Sequence, residues 1–134
     1  MQNEPAGKSF PIRVFAEQMI SISDNTAADH LLYKLGREKS ELAVTKSHHH
    51  APAINSPFLS SREMFYLKLS LTPEQRLAYL AKSSADRREF LDREVAGKLP
   101  LLANVASWPT PRLIQELEWF ASGNHVAISD DMLH

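Results

Sequence analysis

The segment ISISDNTAADHLL sets three polar residues, Ser23, Asp24 and Asn25, between an apolar run and a stretch of helical period. Residues of these types serve active sites. They are also the ones that best close a helix N-terminus. Chemistry at Ser23 needs more than its hydroxyl, because a hydroxyl becomes a nucleophile only beside a base. The nearest imidazole along the chain, His30, lies about two helical turns on and out of reach. A second cluster is the tract His48, His49 and His50. Consecutive residues do not share one helical face, and the chain has no His-x-x-x-His or His-Glu-x-x-His spacing. The tract is therefore read as a solvated loop. No metal site and no cofactor are expected, and His30 is read as a core or boundary residue.

The elements that would position these residues are helices. Apolar spacing near 3.6 dominates and no convincing alternating strand appears. The spacing predicts helices over 11–20, 26–35 and 38–45. The first carries Val14, Phe15, Gln18 and Met19 on neighbouring turns. The second has Asp24 or Asn25 as its cap and Gly36 as its stop, with Ala27, His30, Leu31 and Leu35 on one side. The third carries Leu42. Two prolines, Ser, Asn and the His tract make 46–57 a loop.

Helical order returns in SSREMFYLKLS, where Ser60 and Glu63 have capping-box spacing. Thr72-Pro73-Glu74-Gln75 starts the next helix, with Leu77, Leu80 and Ala81 as its apolar stripe. Ser84 can cap another helix, running through Phe90, Leu91 and Val95 to Gly97. Thr110-Pro111 opens a last one over 112–121. Trp108 and Trp119 are read as core anchors, with ligand stacking a second use for Trp108. The expected fold is all-α, about seven short helices in one domain over 1–134. Its core spans about 10–122, and 1–9 and 124–134 are frayed tails. One or two short strands near 98–107 are the alternative.

Composition narrows the function. The chain has 134 residues and a net charge of -1, with 43% hydrophobic and 23% charged residues. That is enough for one globular core. Near-neutral charge argues against a nucleic-acid surface. No apolar run approaches the roughly 18 residues of a membrane span, and the opening MQNEPAGKSF lacks the apolar centre of a signal peptide. There is no cysteine, so thiol chemistry and thiolate metal sites are excluded.

The longer run MISISDNTAADHLL resembles the second motif of the penicillin-recognising serine hydrolases, above all class A β-lactamases and their relatives. Met19-Ile20, Ser23-Asp24-Asn25, Thr26-Ala27-Ala28, Leu31-Leu32 and Leu35-Gly36 occur in the family's order. SSREMFYLKLSLT is similar to the helix after the family's omega loop. VASWPTPRLIQELEWFAS is similar to the divergent, β-lactamase-like hydrolases that are not efficient lactamases. The resemblance implies the helical half of a two-domain fold, with the sheet domain absent. It implies a proton-relay role for Ser23, whose hydroxyl offers one donor and two lone pairs. Asn25 would hold a catalytic lysine and a substrate's acyl amide. Asp24 would tie down the turn, a structural task.

Three family features are missing. No Ser or Thr is followed three residues later by Lys, and there is no Lys-Thr-Gly or Lys-Ser-Gly. Between Ser47 and Ser61 there is no Glu or Asp, so the family's omega-loop glutamate has no counterpart there. Glu63 is the nearest, and its capping-box spacing accounts for it. The expectation is a fragment of a larger two-domain protein, catalytically incomplete by itself. Its parent would act by acyl-enzyme hydrolysis of a small amide, lactam or ester. Partners would be the missing sheet domain and, through the uncovered face, a second copy. No nucleic acid or membrane is expected. The resemblance implies a bacterial, exported parent, while this sequence leaves location open. The rival reading is a free-standing helical interaction module in which Ser23, Asp24 and Asn25 are only a helix cap.

Overall fold

A computed structural model describes residues 1, 3–98, 100, 110, 111 and 114. Among them the chain forms six α-helices and no strand. These are α1 (Ile12–Ile22), α2 (Asn25–Leu35), α3 (Arg37–Lys46), α4 (Ser61–Ser70), α5 (Pro73–Leu80) and α6 (Ser84–Phe90). A short 3-10 turn, Pro52–Asn55, breaks the loop after α3, and α6 runs on into a π turn, Leu91–Val95. These six match the first six helices expected from periodicity. The seventh, over 112–121, lies outside the described residues but for Ile114, as do Trp108 and Trp119 and most of 98–107. No helix among the described residues is long and apolar enough to cross a membrane.

Local chemistry sets the helix ends. Asp24 caps α2, its side chain accepting from the Ala27 N–H at 2.9 Å. Gly36 both closes α2 and opens α3 at φ 90°, a backbone that a side chain would strain. Ser60 with Glu63 and Thr72 with Gln75 form complete capping boxes on α4 and α5, with Pro73 in the first turn of α5. The cap of α6 is Ser83 rather than the expected Ser84. Ser83 Oγ accepts from the Asp86 N–H at 3.1 Å, and the Ser84 hydroxyl instead pairs with that of Ser56 at 2.7 Å.

The main core joins α4, α5 and the π turn. Leu67, Tyr79, Leu91 and Val95 are buried, with Leu59, Tyr66, Leu71, Leu80 and Phe90 packed around them. The Tyr79 and Phe90 rings lie 5.5 Å apart. The π turn, closed by the Ala96 N–H on the Leu91 carbonyl at 2.8 Å, keeps both Leu91 and Val95 inward.

Three faces are turned from their expected setting. On α5 Leu77 is 65% exposed, while Arg76 and Tyr79 are buried. Arg76 points inward because it donates to the Lys68 carbonyl at the end of α4, at 2.7 Å. On α3 Leu42 faces out and Val44 in. Glu41 fixes that setting by accepting from the Phe58 N–H at 3.0 Å and from Arg88 at 2.5 Å. On α2 Ala27 and Leu32 are buried, while His30 and Leu35 are exposed. His30 still packs its ring against Phe15 of α1 in a tilted pair, centroids 5.2 Å apart.

Candidate active site

The polar triplet forms the elbow between α1 and α2. α1 ends on Ser23, whose backbone is left-handed at φ 53°, ψ 42°. A non-glycine residue there is strained. The N–H groups of Ser23 and Asp24 both reach the Gln18 carbonyl, the second at 3.2 Å. Asp24 then turns the chain. Its Oδ1 caps α2, and its Oδ2 accepts from the Met1 amino group. That amino group first, and the Ala27 N–H second, hold the Asp24 carboxyl below its ordinary value. Ser23 and Asn25 are exposed, and their side chains make no hydrogen bond among the described residues. No histidine, lysine or carboxylate among those residues bonds to the Ser23 hydroxyl, so nothing there can activate it.

Beside the elbow, α2 and α4 flank an open groove of about 560 Å³. Asn25, Asp29 and Tyr33 line it from α2, and Arg62 and Phe65 from α4. Asn25 is thus part of a concave surface, and Ser23 is not among its lining residues. The volume suits a small organic ligand.

Asp29 belongs to no motif in the sequence. It sits one turn after Asn25, and its two oxygens accept from the N–H groups of Ser61 and Arg62 at 2.6 and 3.1 Å. Together with Ser60 Oγ on the Glu63 N–H, this gives the first three amides of α4 protein acceptors. An acidic residue in mid-helix with no cap to form there is the one local hint, because Asp is a poor helix former.

Glu63 is committed to structure. Its Oε2 accepts from the Ser60 N–H at 2.8 Å and from Arg37 at 3.2 Å, and its Oε1 accepts from Arg37 at 2.8 Å. Arg37 also donates to the Phe58 carbonyl. Burial pulls the Arg37 pKa down, and the Glu63 carboxylate outweighs that and raises it. In the His tract, His49 accepts from the Ala51 N–H at 3.1 Å and stacks on His50 at 4.8 Å. Among the described residues no three His, Cys, Asp or Glu side chains come together as a metal ion would require.

No curated protein matches the chain. Residues 1–99 match one protein family, described as the beta-lactamase enzyme family.

Proposed function

From the premise that the chain belongs to the β-lactamase enzyme family, we propose that residues 23–25 form one wall of a serine-hydrolase cleft. Ser23 relays a proton between the catalytic base and the leaving group. Asn25 holds the acyl amide of the substrate and steadies the base. Asp24 fixes the elbow. The nucleophilic serine and its lysine come from polypeptide outside this sequence, since no Ser-x-x-Lys occurs within it. The substrate is a small amide, lactam or ester, cleaved through an acyl-enzyme.

The observation that carries this reading is the elbow. It holds Ser23 in a costly left-handed backbone and leaves two hydrogen-bonding side chains, Ser23 and Asn25, exposed and unspent beside a ligand-sized groove. A mere cap requires only Asp24. Hydrolysis of the acyl-enzyme needs a water and a base, and Glu63 is fully bonded elsewhere. Turnover of a lactam is accordingly slow.

The test is to extend the reading frame in both directions and treat the product with a fluorescent penicillin. The longer product is labelled, and the 134-residue chain alone is not. Ser23→Ala slows labelling about a hundredfold or more, the usual contribution of a proton-transfer group. A longer frame without Ser-x-x-Lys, or labelling unchanged in both Ser23→Ala and Asn25→Ala, returns the triplet to the role of a helix cap.

A further inference from the structure

The groove holds an arginine whose guanidinium forms no ion pair among the described residues. Arg62 lies at the start of α4 and lines the groove. One of its terminal nitrogens donates to the Tyr33 hydroxyl at 3.2 Å, and its Nε is enclosed without a partner. No carboxylate among the described residues pairs with it. Asp29, the acidic neighbour in the groove, spends both oxygens on backbone N–H groups. Arg62 therefore brings a half-buried guanidinium to the groove, with terminal N–H groups that have no carboxylate partner among the described residues. Such a group matches the paired oxygens of a carboxylate, as it does those of a phosphate. Tyr33, Phe65, His30 and Pro100 line the groove as well, beside the polar Thr26, Asp29 and Ser61.

The helix sets a length. Tyr33, which holds the guanidinium, is eight residues past Asn25 on α2, about 12 Å along the axis. A ligand that reaches from Asn25 to the Tyr33 end of the groove therefore carries its two polar groups on the order of 10 Å apart.

We infer that the groove is the acyl-chain subsite, and that the preferred substrate is an amide whose acyl chain ends in a carboxylate bound by Arg62. The inference rests on Asn25 holding the acyl amide, as proposed above. The acyl chain then runs along α2 away from Ser23, and the leaving group lies on the Ser23 side. Arg62 selects the substrate and takes no part in the bond-breaking step.

The probes are suberic acid monoamide and octanamide, equal in length and differing in the terminal carboxylate. Both are titrated into the chain by nuclear magnetic resonance, with the Arg62 side-chain signal and the Tyr33 and Phe65 rings as reporters. The acid binds about tenfold more tightly than octanamide, and added salt shrinks the difference. Arg62→Gln makes the two affinities equal, while Arg62→Lys keeps part of the preference. Asn25→Ala weakens both probes by a similar factor.

Equal affinities in the unsubstituted chain, or a preference that survives Arg62→Gln, overturn the subsite. Loss of the preference in Arg62→Gln with no effect of Asn25→Ala overturns its assignment to the acyl chain. Penicillin labelling of the longer product separates the two readings. Labelling with equal probe affinities removes the subsite alone, and an acid preference without labelling removes the hydrolase and with it the acyl-chain assignment, leaving only a carboxylate-binding groove.

Discussion

At the scale of single residues, the side chains that hold the site together are those with long-range hydrogen bonds. Asp29 carries the first turn of α4 on its carboxylate. Asp29→Ala leaves two N–H groups of that turn without their protein acceptor, and costs about 1–3 kcal/mol in urea unfolding. Asp29→Asn keeps the shape and one acceptor oxygen and costs less. Ser23 predicts the opposite sign. Its left-handed backbone suits glycine, so Ser23→Gly stabilises the chain by up to about 1 kcal/mol while Ser23→Ala does not. Tyr79 gives the pH signature. Burial pushes its phenol from 10.0 up to about 12. The folded value is the higher one, so the contribution is complete below pH 10 and is lost as pH rises toward 12. That amounts to roughly 2–3 kcal/mol. Tyr79→Phe removes this alkaline slope from the stability profile.

At the scale of elements, six helices and both capping boxes could be read from the sequence, because each is written in residues three or four apart. Ser60 with Glu63 and Thr72 with Gln75 are local patterns with local consequences. The cap of α6 shows where that reading ends. Ser83 and Ser84 are chemically equal, and only the distant Ser56 hydroxyl takes Ser84 out of contention. Ser83→Ala therefore costs about 1 kcal/mol as a lost cap. Ser84→Ala costs only its bond to Ser56, and thermal unfolding of the pair ranks them. The rotation of α5 was hidden for the same reason. Hydrophobicity favours Leu77 inward, but the open carbonyl of Lys68 draws Arg76 in, and that carbonyl belongs to another helix. Of the site, the triplet stood out by its types and order. The groove did not, because Asp29, Arg62 and Tyr33 meet only when α2 and α4 are brought side by side.

At the scale of the whole molecule, apolar side chains gather outside as well as within. Ile20 and Ile22, in the last turn of α1 just before the triplet, are 77% and 66% exposed, and Tyr33 and Leu35 are at least half exposed on α2. Replacing Ile20 and Ile22 with Lys leaves unfolding stability within about 0.5 kcal/mol. These residues support a surface and not the core. The elbow adds a mechanical consequence. Gln18 receives the N–H groups of both Ser23 and Asp24, and the Asp24 carbonyl accepts from Ala28 at 3.0 Å as α2 begins. No residue between the two helices is left slack. α1 is therefore a lever fixed to α2 at a stiff joint. Spin labels on the two helices report one narrow distance.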